Sequence, residues 1–329
     1  MASVKFVRTY LLFFFLLLTV VVVIIIMIPD DFPVYEAVKP AEEYEWEPPD
    51  TLRIPATSQG ELIRYGRSLI AKTSFYLGPH GKLAQTSNGM NCQNCHLEAG
   101  TRNFGNNYAA VFSTYPKFRA RSGTKETIYK RINDCFERSL NGTALDSSSK
   151  EMQAIYAYIK WLGQRVPKSI KPIGCGIAEL PFLSRAADPS KGARLYIYNC
   201  RRCHGTNGTG LFNTDSSGYK YPPLWGEHSY STGAGLFRLS RLAGFIKYNM
   251  PYNADGSDSS KINTEEAWDL AAFIISQPRP EKKYPNDWPE LASKPFDHPF
   301  GPYLDSFSEL QHKYGPYASI EQALMKSSK

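Results

Sequence analysis

Cysteine is scarce in this chain. Six among 329 residues are too few for a disulfide scaffold of this size, so their placement matters more than their number. Blocks of like charge are missing as well. The 38 basic and 31 acidic side chains give a net +7 that is scattered along the sequence, with no Lys/Arg-rich block. That excludes nucleic acid as a partner and suits a small anion or an acidic protein surface. Hydrophobic residues make up 42% and aromatics 13%, enough to fill real cores, so wholesale disorder is excluded too. The length allows about two domains.

One long apolar run opens the chain. Lys5 and Arg8 precede Leu11 to Ile28, in which Thr19 is the only polar side chain, and Pro29, Asp30 and Asp31 stop it. A secretory core usually runs about 7–15 residues to a small-residue cleavage site. This run is longer, and no A-x-A follows directly. A run of that length can just span a bilayer, and the basic-before, acidic-after pattern puts residues 30–329 outside. Residues 1–29 are therefore predicted to be a single-pass N-terminal anchor, with the rest on the periplasmic side of the cytoplasmic membrane. The alternative is a long signal peptide and a soluble periplasmic product.

Residues 30–55 are rich in Pro and Glu and read as an extended spacer. Two units of comparable layout follow, expected as domains over 56–166 and 189–279 joined by a linker at 167–188. In the first, a helical segment around Gly66–Leu77 leads to Cys92-Gln-Asn-Cys95-His96. It closes with Ser149–Arg165, where Met152, Ile155, Ile159 and Leu162 mark one helical face. In the second, the segment from Gly192 leads into Cys200-Arg-Arg-Cys203-His204. Its closing helix runs from about Thr264, with Glu265 and Glu266 in the first turn, to Gln277, and Pro278 ends it. Residues 280–329, full of Pro, Tyr and Asp, read as a loop-like wrap without chemistry of its own.

C-x-x-C-H reads as covalent attachment of haem c. Two thiols one helical turn apart can form thioethers with the haem vinyl groups, and the adjacent His can ligate the iron. Two copies predict two covalently bound haem c groups. A zinc site built from the four thiols of Cys92, Cys95, Cys200 and Cys203 leaves His96 and His204 unexplained. A dithiol redox motif needs a single reactive pair in a βαβ context, which is absent. The expected fold class is all-α: two cytochrome c-type domains in tandem, each dependent on its haem, preceded by an N-terminal transmembrane helix.

A haem iron takes a sixth ligand, whose identity sets what that haem can do. On the loop after His204, Met250 is the only methionine and the expected ligand, with His228 as its rival. The first unit has no equivalent, because Met90 is too close to Cys92 to swing round and Met152 falls on the closing helix. Its loop holds Cys135 instead. Two readings stay open there. One is a disulfide to Cys175 in an oxidising compartment. The other is a thiolate ligand to the first haem, kept deprotonated by cationic neighbours.

The stretch Arg131-Ile-Asn-Asp-Cys135-Phe-Glu-Arg-Ser-Leu-Asn-Gly142, together with the residues from Tyr115, resembles the active-site segment of di-haem thiosulfate dehydrogenases. These are relatives of the sulfur-oxidation cytochromes with a His/Cys-ligated haem. The resemblance continues through both CxxCH motifs, Asn249-Met-Pro251, Asp297 to Tyr303 and His312 to Pro316. It implies an oxidoreductase that couples two thiosulfates into tetrathionate, or the reverse, and exchanges electrons with a periplasmic or membrane-bound partner. His96 and Cys135 would be the axial ligands of the catalytic haem, and His204 and Met250 those of the electron-transfer haem. Arg121 and Arg131 match the residues that hold the sulfonate groups, with Arg138 and Ser139 close by. Some relatives carry a lysine before the methionine that can exchange as ligand; this chain has Asn249.

The chemistry agrees with what the resemblance implies. Guanidinium groups suit sulfonate oxygens, and positive charge offsets the repulsion of two dianions. A thiolate exchanges with sulfur–sulfur bonds, so Cys135 is expected to leave the iron, carry one thiosulfate and be released by the second. Two rival functions remain. A membrane-tethered di-haem electron carrier would be favoured by a Cys135–Cys175 disulfide. A di-haem peroxidase would need acid/base groups that this segment does not provide.

Overall fold

The computed structural model describes residues 44–214, 218–252 and 262–327, together with Thr19. All but Thr19 fall in one unit, Pro40–Lys329. The first half carries three helices of more than two turns: α1 (Ser58–Ala71), α2 (Ile128–Arg138) and α3 (Lys150–Gly163). The second carries α4 (Pro189–Asn199), α5 (Leu239–Asn249) and α6 (Thr264–Ser276), and the tail adds α7 (Ala318–Ser327).

The helix starts follow capping chemistry. Thr57, Ser149 and Asp188 accept from backbone N–H groups of α1, α3 and α4, and Asn263 with Glu266 forms a reciprocal box at the start of α6. Met152, Ile155, Ile159 and Leu162 all face the first core, as their spacing requires. Each half is built around one close helix crossing. A Cβ on Gly66 would stand 1.9 Å from the Ala154 carbonyl oxygen, and one on Gly192 would stand 2.0 Å from that of Asp269. Only glycine lets α1 meet α3, and α4 meet α6, at that distance.

The expectation of an all-α chain behind a transmembrane helix is corrected on two counts. Two short antiparallel ribbons interrupt the helices. Strand β1 (Lys117–Arg119) pairs with β2 (Thr124–Glu126), and β3 (Leu211–Phe212) with β4 (Tyr219–Tyr221). Strands of two or three residues show no legible alternation, and Gly123 at φ +65° closes the first hairpin. Nor is any helix among the described residues long and apolar enough to cross a membrane. The run from Leu11 to Ile28 lies, apart from Thr19, outside the described residues.

The segments outside the two helical units also contribute to the cores. The expected spacer joins the first core through Trp46, whose Nε1 donates to the Leu162 carbonyl at 3.2 Å, and through Ile54. The expected wrap feeds Tyr317 and Ile320 into the second core. The halves meet through specific bonds. Asn88 donates to the carbonyls of His228 and Ser229, and Ser231 Oγ donates to the Arg138 carbonyl at 2.8 Å.

Candidate functional site

Where the sequence reads as loop, Cys135 sits on α2. Thr127 caps that helix by accepting from Lys130 N, and Ile128, Ile132 and Phe136 bury one side of it. Residues four apart share a helix face, so Arg131 lies beside Cys135 and its Nη1 donates to Sγ at 3.1 Å. The CxxCH segment begins as a 3-10 turn, Cys92–Asn94, capped by Asn91. It and α2 line one cavity of about 380 Å³, which brings together Cys92, Cys95, His96, Arg121, Arg131 and Cys135.

His96 Nδ1 donates to the Asn106 carbonyl at 2.6 Å, and its ring stacks on Tyr108 with centroids 4.5 Å apart. A carbonyl oxygen can only accept, so the proton is on Nδ1 and Nε2 keeps its lone pair for a metal. The second half repeats this device, with His204 Nδ1 donating to the Pro222 carbonyl at 2.8 Å. Met250 directly follows α5 and packs against the second core. Asn249 beside it is fully buried, and its Nδ2 donates to the Phe104 carbonyl of the first half at 3.1 Å.

Electrostatics separate the three thiols of the cavity. Burial pushes Cys92 and Cys95 up to about 12. At Cys135 burial also pushes upward, but the Arg131 guanidinium opposes it and holds the thiol below its ordinary range. Cys135 is therefore the thiolate of the set. All six cysteines are free, so Cys135 is not joined to Cys175. Arg121 lines the cavity while its Nη2 donates to the buried Asp134 carboxylate at 2.7 Å, which Lys130 also engages.

The donor set fits haem c in both halves. Paired thiols, an imidazole with its Nε2 lone pair exposed by the Nδ1 bond, and a sulfur-bearing side chain are present in each. Cys92, Cys95, His96 and Cys135 would hold one group, and Cys200, Cys203, His204 and Met250 the other. A more open depression of about 660 Å³ beside the start of α6 offers neither thiol nor imidazole, and its Arg185 is bonded to Asp269 and Glu265.

Several lining residues escape a reading by motif. Arg119 and Lys171 come from the ribbon and the linker; Tyr230, Arg238 and Arg241 come from the second half. They belong to no motif, because the fold brings them in from far along the chain. One signal is legible in retrospect. Arg238 and Arg241 open α5, which has no acidic residue in its first turn, the reverse of what a helix N-terminus favours.

Residues 82–167 match the family described as SoxA/TsdA, cytochrome c domain, and residues 187–274 match cytochrome C oxidase, cbb3-type, subunit III. The chain is similar to a thiosulfate dehydrogenase of Allochromatium vinosum, 39% identical over 236 residues, 70% of this chain and 83% of that one. A second, from Stutzerimonas stutzeri, is 34% identical over 75% of this chain and 76% of that one. Among solved structures, thiosulfate dehydrogenase (TsdBA) from Marichromatium purpuratum superposes with a TM-score of 0.66 at 31% identity. That match covers 72% of this chain and 50% of the other, so the chain spans half the length of that protein. By descent as well as by its paired cytochrome c halves, the chain belongs to the thiosulfate dehydrogenase family of oxidoreductases, with two covalently bound haem c groups.

Proposed function

We propose that the chain joins two thiosulfates into tetrathionate, or runs the reverse, in the cavity centred on Cys135. The reading rests above all on the Arg131–Cys135 contact at 3.1 Å, which keeps a thiolate in the same cavity as a CxxCH motif. The reaction forms one sulfur–sulfur bond between two dianions and releases two electrons. Haem groups held by the two CxxCH motifs would supply the redox chemistry that takes up those two electrons and delivers them to an external acceptor. Cys135 contributes the thiolate that bonds the outer sulfur of the first thiosulfate, and forming that bond is the step that gives up the two electrons. The second thiosulfate attacks that sulfur, releases tetrathionate and restores the thiolate. Arg131, and Arg121 beside it, supply positive charge to the sulfonate oxygens.

His96, Cys135, His204 and Met250 are the iron ligands in this reading. The carrier alternative loses the Cys135–Cys175 bond that would have favoured it. The basic-then-apolar start of the chain supports export of the haem-bearing part.

The test compares the haem-loaded chain with Cys135→Gly by low-temperature EPR and by thiosulfate and tetrathionate turnover in both directions. A low-spin His/thiolate signal and turnover are expected in the first and absent from the second. Matching spectra would remove Cys135 from the iron and favour a carrier.

A further inference from the structure

Two thiosulfates bring four negative charges, and the cations already named share theirs with anionic groups of the protein. Arg131 serves the Cys135 thiolate at 3.1 Å, and Arg121 serves the buried Asp134 at 2.7 Å. Arg138 forms a two-point pair with Asp287 at 2.7 and 2.8 Å, and Arg238 is bound to the fully buried Asp297. Such two-point and buried pairs are the strong ones and are not given up cheaply.

Three cavity-lining cations remain, one of them Arg119, whose one ion pair among the described residues is to the buried Glu126 at 3.9 Å. Lys171 has no ion pair among the described residues, and Arg241 has only Glu179, 3.7 Å away with a side chain 84% exposed. A contact that long to a solvated carboxylate contributes little. Arg241 also stands in the first turn of α5, where the helix dipole is positive and Arg238 is a neighbour. Partial burial and that neighbour work against its charge, and Glu179 and Asp297 offset them only in part. A cation kept in such a place is compensated when an anion arrives.

The linker explains how it reaches the cavity. Gly244 of α5 admits the Ala178 carbonyl against the helix, since a Cβ there would stand 2.1 Å from that oxygen. Gly176 and Ile177, just before it, line the cavity along with Arg241. Tyr230 adds a phenol from the same half; it is 3% exposed, lines the cavity, and has the Arg279 guanidinium 4.5 Å from its ring centroid.

Resting on the function proposed above, we infer that Arg241, supported by Lys171 and Tyr230, holds the second thiosulfate while Cys135 and Arg131 engage the first. The catalytic cavity is thus completed by a residue of the electron-transfer half. Recognition there is of a sulfonate-bearing dianion by guanidinium, with the phenol as a neutral donor.

The test uses the haem-loaded full chain with Arg241→Gln and, as the conservative variant, Arg241→Lys. Arg241→Gln is expected to raise KM for thiosulfate about tenfold or more, the loss of one charge-assisted contact, with kcat within about twofold. Its kcat/KM should fall less steeply with added salt than that of the wild type, and Arg241→Lys should recover part of the KM. The visible spectra and haem midpoint potentials should match the wild type. An unchanged KM overturns the assignment. So does a shifted potential at unchanged KM, which would make Arg241 a haem-carboxylate partner. A haem-loaded wild type without thiosulfate turnover would instead overturn the function itself.

Discussion

A thiolate beside a buried cavity persists only if a cation stays within hydrogen-bond reach, and at Cys135 that cation is Arg131. The two are legible in the sequence as the ends of an i, i+4 pair, but only once α2 is known to be a helix. What no spacing conveys is the sign of the balance. Burial alone would push this thiol upward, as it does at Cys92 and Cys95, and the guanidinium is the largest influence in the opposite direction. Arg131→Gln keeps a polar side chain and removes the charge, so burial should win and the thiol should rise. Since the thiolate is the reacting form, present above the pKa, the acid limb of the thiosulfate-oxidation profile should move to higher pH. Turnover near neutrality should fall roughly a hundredfold, the scale of losing one preorganised charge contact. A profile and rate like the wild type would leave Arg131 without this role.

At the scale of elements, the outer helices of each half were readable and the inner ones were not. A face such as Met152, Ile155, Ile159 and Leu162 announces itself by period, and Asn263 with Glu266 announces a start. Helix α2 hides because Ile128, Ile132 and Phe136 stand among charged residues that bond to one another or line the cavity. The ribbon β1–β2 is too short to alternate visibly. The crossings are the least visible of all. Gly66 and Gly192 look like ordinary interruptions until the facing carbonyls of Ala154 and Asp269 are seen. A methyl group cannot be accommodated against those carbonyls without moving a helix, so Gly66→Ala and Gly192→Ala should each cost about 3 kcal/mol or more. The loss should read as a lower urea midpoint and reduced haem content. Each should act first on its own half: Gly66→Ala on the haem beside His96, Gly192→Ala on the haem beside His204. Separate optical bands or potentials would register which.

Across the whole molecule, the same residues that close the cavity also join the halves and the tail. Arg138, at the end of α2, lines the cavity, donates to Asp287 of the tail through two bonds, and stacks on Tyr284 at 3.6 Å. Its carbonyl accepts from Ser231 of the second half. Lys282 Nζ reaches back to the Glu137 carbonyl at 2.8 Å. A tail read from its Pro, Tyr and Asp content as a loop-like wrap is tied to the helix that carries Cys135. The side chains of Arg138 and Asp287 are 10% and 19% exposed, so their pair is partly desolvated. Removing one partner leaves the other without compensation, which costs more than the pair itself contributes. Asp287→Asn and Arg138→Gln should each lower stability by about 2–3 kcal/mol, and the double variant by little more than either. Urea unfolding of the four proteins measures that coupling. If instead the two losses add, the tail and α2 are independent, and closure of the cavity does not depend on this pair.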